Sequence, residues 1–369
     1  MKKHIIAMAV SAAIAAPAAA IADTTLYGKI HASYDFWGGD VVDNADYSLA
    51  SNSSRLGVKG KEAISDDLSL VYKWEEQVDW GGEGAGIGGA RNTFVGFSGN
   101  WGTVIFGRHD TPFKGVRGKY DLFGDTIGDA RAIVRGRALG SSTNNWDQRY
   151  DNQIAYSTPD MGGFGATVAY ISDTDTQDLN GDDVLDNRTD AISANASYEV
   201  GGFGIIAGYE QHNRAEQANY EDEQTAYRIA AQYKMDGFKV MGLYQGVENV
   251  NYLTESQGVA LDEFGGDMSM WGVGAAYSFG KSTIKGHYFA ASEVDSHADT
   301  GADLWAIGYD YKLSKQTTVY VAYAAVSNES GIGDYRVGYK TGHGEDAAVD
   351  TSELGNDSNA FSLGVVHKF

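Results

Sequence analysis

Phe361-Ser-Leu-Gly-Val-Val-His-Lys-Phe369 ends the chain as an alternating strand that stops on an aromatic ring. Phe361, Leu363, Val365, His367 and Phe369 share one face, and Ser362, Gly364, Val366 and Lys368 the other, because successive strand side chains point to opposite sides. Chain ends of soluble domains tend to fray. A chain that finishes as a strand needs a neighbour for its backbone donors and acceptors, and in a closed barrel that neighbour is the first strand. Phe361, Leu363, Val365 and Phe369 are therefore read as a barrel-closure strand.

The opposite end agrees. Lys2 and Lys3 precede an apolar stretch from Ile5 to Ala16, and Ala20-Ile21-Ala22 offers the small residues that signal peptidase needs before Asp23. Residues 1–22 are read as a cleaved signal peptide, since a membrane-crossing helix needs about 20 apolar residues. Residues 23–369 are read as one domain. Loss of the leader removes two lysines and no acid, so the net charge moves from −22 to −24. Such a balance argues against a nucleic-acid partner. There is no Cys, and one of the three Pro lies in the leader, which suits long strands whose ladders each Pro would interrupt.

Period-2 alternation recurs along the chain. Leu26, Gly28, Ile30, Ala32, Tyr34 and Phe36 alternate with Tyr27, Lys29, His31, Ser33 and Asp35. Thr225, Tyr227, Ile229, Ala231 and Tyr233 oppose Ala226, Arg228, Ala230, Gln232 and Lys234, and further apolar faces run from Trp271 to Phe279 and from Trp305 to Leu313. These faces are about ten residues long with aromatics near their ends, the length of a tilted membrane strand. Turning Arg228 or Lys234 toward lipid would cost on the order of 2–4 kcal/mol near the midplane, so the polar faces point inward to water. The fold class is all-β: a transmembrane antiparallel β-barrel of about 16 strands.

Short junctions at residues 160–163, 201–202, 236–237 and 313–316 read as periplasmic turns, and long polar ones at 172–190 and 329–359 as outer loops. The third loop, about 108–147, carries Tyr120, Leu122, Phe123, Ile127, Ile133 and Val134 among its charges, so it is expected to fold into the pore. Asp178, Asn180, Asp182 and Asp186 place oxygens at near-alternate positions, a candidate calcium loop. Asp183 stands where an EF-hand turn wants Gly, and Thr189 where it wants Glu, so a solvated acidic loop is the plainer reading. No other cofactor is expected. There is no H-E-x-x-H and no G-x-S-x-G.

Leu26-Tyr27-Gly28-Lys29, Ser54-Arg55-Leu56-Gly57-Val58-Lys59-Gly60, Arg91-Asn92-Thr93-Phe94-Val95-Gly96-Phe97, Phe106-Gly107-Arg108, Asp151-Asn152-Gln153-Ile154-Ala155-Tyr156 and the terminal Phe369 occur in this order. Together they resemble the Gram-negative general-diffusion porins, trimers of sixteen-stranded barrels. The resemblance spans the whole mature chain. It implies a passive channel for ions and small hydrophilic solutes in the outer membrane of a Gram-negative bacterium, and not an enzyme. It implies as partners outer-membrane lipid and lipopolysaccharide, two further copies in a homotrimer, and the barrel-assembly machinery acting on the C-terminal strand. It also implies an eyelet, with wall cations Lys29, Arg55, Lys59, Arg91 and Arg149 facing loop acids Asp121, Asp125 and Asp129. Arg131, Arg135 and Arg137 depart from that pattern, and their facing is left open. The assigned inward faces are basic while acids concentrate in loops, so the net charge decides neither a cation nor an anion preference. The competing readings are an outer-membrane barrel enzyme of the lipase or protease type and an adhesin.

Overall fold

A computed structural model describes residues 24–40, 46–80, 86–135, 146–172, 190–213, 223–249, 266–295, 298–329, 335–338 and 355–369. The expected leader (1–22), Arg137 and the calcium candidates Asp178, Asn180, Asp182 and Asp186 lie outside these residues.

Eighteen strand segments make sixteen staves, because two staves are each broken in the middle. In chain order they are β1 (Thr25–Gly39), β2 (Asp46–Ser51 and Arg55–Ser65), β3 (Leu68–Asp79), β4 (Gly86–Ala90 and Thr93–Gly99) and β5 (Gly102–Asp110). Two short helices follow, α1 (Pro112–Gly118) and α2 (Arg131–Val134). The remaining staves are β6 (Arg149–Ser157), β7 (Phe164–Ile171), β8 (Asp190–Val200), β9 (Phe203–Asn213), β10 (Gln224–Met235), β11 (Phe238–Glu248), β12 (Met268–Phe279), β13 (Ser282–Ala291), β14 (Ala302–Lys312), β15 (Thr317–Asn328) and β16 (Ser358–Lys368). Each pairs antiparallel with its sequence neighbour, and β1 pairs β16 from Lys29↔Lys368 to Gly39↔Ser358, which closes the sheet. Closure leaves no strand edge exposed to lipid.

The last residue completes the seam. Gly28 N–H donates to the Phe369 carbonyl at 3.0 Å and Phe369 N–H to the Gly28 carbonyl at 3.1 Å. A Cβ at Gly28 would overlap the Phe369 ring, so glycine there lets the terminal aromatic lie across the first strand.

The expected facing holds. Trp271, Val273, Tyr277, Phe279, Trp305, Ile307, Tyr309, Tyr311 and Leu313 stand exposed on the outside of the barrel, where lipid would cover them. Residues 201–202, 236–237 and 313–316 are the short turns. The third loop starts later than the sequence suggests, because β5 runs on through Arg108 to Asp110, leaving 111–148 as the connection.

The hydrophobic core lies inside the barrel. Phe113, Val116, Tyr120, Phe123, Ile127, Ile133, Val134 and Trp146 of the third loop form one buried cluster with Met241, Leu243, Met270, Phe289 and Leu304 of the β11–β14 wall. Each such side chain taken from water contributes about 1.5–3 kcal/mol, enough to hold the loop in the lumen.

Candidate pore constriction

The loop is seated from its first residues. Thr111 is the N-cap of α1, its hydroxyl accepting Lys114 N–H at 3.1 Å, and Pro112 fills the first turn, where its missing N–H costs nothing. The wall holds this turn twice, as Ser193 Oγ accepts Phe113 N–H at 3.0 Å and Asn195 Nδ2 donates to the Pro112 carbonyl at 2.6 Å.

An ion-pair chain crosses the loop from one wall to the other. Lys29 Nζ of β1 reaches Asp125 Oδ2 at 2.7 Å, and Arg131 Nη2 binds Asp125 Oδ1 at 3.1 Å and Asp129 Oδ2 at 2.8 Å. Arg117 then binds Asp129 at 3.2 Å, Asp121 at 2.6 Å and Asp147 at 2.5 Å. Asp147 Oδ1 takes Arg228 Nη1 of β10 at 2.8 Å, and the Arg228 guanidinium lies 4.3 Å from the Phe113 ring centroid. Gln245 accepts from Arg228 Nε at 2.7 Å and donates to the Val134 carbonyl at 2.9 Å. Four cations meet four carboxylates along this path, so the charges buried with the loop are compensated.

Burial pushes the Asp125 carboxyl up, but the Lys29 ammonium and the Arg131 guanidinium outweigh it and hold the group well below the usual carboxylate range. Asp147 is likewise drawn down, to about 2, against its burial by Arg228 and Arg117. Asp121 goes the other way. Burial, and next the Asp129 charge, push it up to about 7 despite Arg117. Asp125 also holds a left-handed backbone at φ +61°, a conformation that Asp tolerates better than most residues and that the two ion pairs secure.

Across from the loop, β1–β6 present the basic wall. Lys29 and Arg55 are cross-strand partners. Glu75 is buried among cations, 2.9 Å from Arg91 Nε and 3.2 Å from Lys73 Nζ, and accepts the Tyr27 hydroxyl at 2.6 Å. Arg149 Nη2 binds Asp110 at 2.8 Å while its Nε donates to Asn92 at 2.6 Å, and Asp110 is shared with Lys114 at 2.9 Å. Lys59 is exposed, with Nζ 5.2 Å from the Tyr27 ring centroid. Among the described residues, neither Arg55 nor Lys59 has a carboxylate within 4.0 Å.

The structure thus brings Lys29, Arg55, Arg91 and Arg149 onto one wall and sets Asp125 against it. Asp121 and Asp129 lie inside the loop rather than on its lumen side, satisfied by Arg117 and Arg131. Arg131 faces Asp125 and Asp129, and Arg135 forms the C-terminal cap of α2. Sequence reasoning passed over Arg117, Asp110 and Asp147 as parts of the site. Two of these carried a sequence signal, an i,i+4 spacing to an opposite charge beside α1: Arg117 with Asp121, and Asp110 with Lys114.

Residues 7–331 match the family model described as Gram-negative porin. Outer membrane porin protein 32 of Delftia acidovorans is 30% identical over 341 residues, covering 89% of this chain and 90% of the relative. The major outer membrane protein P.IB of Neisseria meningitidis serogroup A is 28% identical over 338 residues, covering 87% and 92%. Among solved structures, the anion-selective porin from Comamonas acidovorans superposes with a TM-score of 0.74 at 22% identity, covering 94% of this chain and 99% of that one. The trimer form of OmpT from Vibrio cholerae gives 0.63 at 18% identity, covering 94% and 99%.

Proposed function

The chain belongs to the Gram-negative porin family, and on that premise we propose that its eyelet is bordered by the Lys29–Asp125 ion pair and set in a basic wall that favours small anions. The protein is an outer-membrane channel and not an enzyme, and neither the barrel-enzyme nor the adhesin reading has support. What carries the selectivity reading is Arg55. It stands beside Lys29 on the lumen wall with no carboxylate within ion-pair distance among the described residues, whereas Asp125 is already shared between Lys29 and Arg131. Fixed cations beside a narrow aqueous gap raise the local anion concentration, and the negative charge of the whole chain does not act at that distance through salt. The Comamonas acidovorans porin that shares the fold is itself described as anion-selective. The test is the reversal potential of the purified protein in planar bilayers under a KCl gradient. A potential on the chloride side supports the reading, and one on the potassium side refutes it.

The same reading extends to assembly. We propose that residues 1–22 are the export signal and that the aromatic strand ending at Phe369 is what the barrel-assembly machinery engages. Three copies then associate in the outer membrane beside lipopolysaccharide, as the trimer form of the Vibrio cholerae protein illustrates for a chain of this fold. Cross-linking of detergent-extracted protein tests the trimer, and a ladder ending at the dimer would refute it.

A further inference from the structure

A second piece of outer loop enters the barrel and meets the third. Tyr335, Arg336 and Val337, carried between β15 and β16, are buried, with Tyr335 only 1% exposed. Both strand ends hold the segment. Asn328 at the end of β15 accepts Tyr335 N–H at 3.2 Å and donates to the Tyr335 carbonyl at 2.9 Å, while Ser358 at the start of β16 accepts Val337 N–H at 3.1 Å. Gly338, at φ +71°, then donates its N–H to the Ile127 carbonyl of the third loop at 3.1 Å. Tyr335 and Val337 join Ile127 in the buried cluster inside the barrel. Ile127 lies two residues beyond Asp125, so the contact falls on the loop tip that carries the eyelet acid.

We infer that residues 335–338 are a second pore element, a brace that fixes the tip of the third loop and thereby keeps Asp125 against Lys29. The inference rests on the eyelet reading only for its effect on ion preference. The geometry explains why a tip with a left-handed Asp125 keeps one conformation: it is tied to β1 by Lys29 and to the β15–β16 side by Gly338, so neither tie alone has to set its position. Among the described residues the buried Tyr335 hydroxyl has no hydrogen-bond partner, so the ring rather than the oxygen does the bracing.

The test is single-channel recording of the full-length mature protein as wild type, Tyr335→Ala, Tyr335→Phe, Asn328→Ala, Asp125→Asn and the Tyr335→Ala/Asp125→Asn double variant. Tyr335→Ala and Asn328→Ala are expected to raise open-channel current noise and to shift the reversal potential in the same direction as Asp125→Asn, and Tyr335→Phe is expected to match wild type. In the double variant, Tyr335→Ala should add no further shift, because the charge it displaces is gone. Asn328→Ala leaves the buried ring intact, so it reads the brace even if Tyr335→Ala does not fold. Wild-type noise and potential in both brace variants overturn the inference, as does a shift that simply adds to that of Asp125→Asn. If Asp125→Asn leaves the potential unchanged while the brace variants are noisy, the eyelet reading falls and the brace stands.

Discussion

Asp147 of the third loop and Arg228 of β10 meet at 2.8 Å with both side chains fully enclosed. An inward arginine on a porin wall would ordinarily be a solvated lumen residue. Here it is the far anchor of an ion-pair chain that starts at Lys29, seven staves away by the shorter way around the sixteen-stave barrel, so the loop is fixed on both sides of the lumen.

Breaking that anchor is expected to unseat the loop without opening the barrel. Removing one partner of a buried pair costs about 3–5 kcal/mol, and the surviving Arg117 bond to Asp147 places Arg228→Met at the low end. Arg228→Met should give noisy channels and a third loop open to protease, with folded barrel still recovered. Adding Asp147→Asn should restore part of the resistance, since it leaves Lys29, Arg117 and Arg131 balanced by Asp121, Asp125 and Asp129.

Substitutions at the eyelet should move ion preference in opposite senses. Asp125→Asn takes away the acid facing Lys29 and should shift the reversal potential further toward chloride. Arg55→Glu places an acid beside Lys29 and should shift it toward potassium. Equal potentials in the two variants would place the selectivity elsewhere in the channel.

Acid should leave the eyelet charge alone. Asp125 is held below the ordinary carboxylate range, so its charge is lost only as pH falls through that depressed value, and the reversal potential should stay flat from pH 7 down to about 5. Asp121 gives the opposite dependence for loop seating. Its folded-state value, about 7, lies above that of the released loop, so the seated loop binds more protons. Seating therefore weakens as pH rises from about 4 to 7. Protease sensitivity of the third loop should rise across that window in the wild type and much less in Asp121→Asn.

Deleting Phe369 removes the two backbone bonds to Gly28 and the ring that covers it. The yield of heat-modifiable folded barrel should fall. Phe369→Ala, which keeps the backbone bonds, should fall between the deletion and wild type.

The barrel was legible because a lipid-facing side chain and a lumen-facing one alternate with an unforgiving period. Trp271, Val273, Trp305 and Ile307 had to face outward, and Arg228 inward, on energy alone. Turns at residues 201–202 and 236–237 followed from the Gly-Gly and Asp-Gly pairs between alternating runs. The constriction was legible only in part. Lys29 and Asp125 could be matched as opposed charges, but Asp121, Asp125 and Asp129 look alike in sequence. Which one reaches the wall depends on the irregular turns of the loop, which no periodicity encodes. Arg117 and Arg131 neutralise the other two within the loop, and that needs contacts rather than spacing. Arg228 read correctly as inward, yet its burial depends on a loop more than 80 residues earlier in the chain.

The most direct measurement is the zero-current potential of the wild-type channel in a tenfold KCl gradient, recorded beside Asp125→Asn. A chloride-side potential that grows more chloride-selective in the variant is the expected result. A potassium-side potential in the wild type would contradict the basic-wall eyelet.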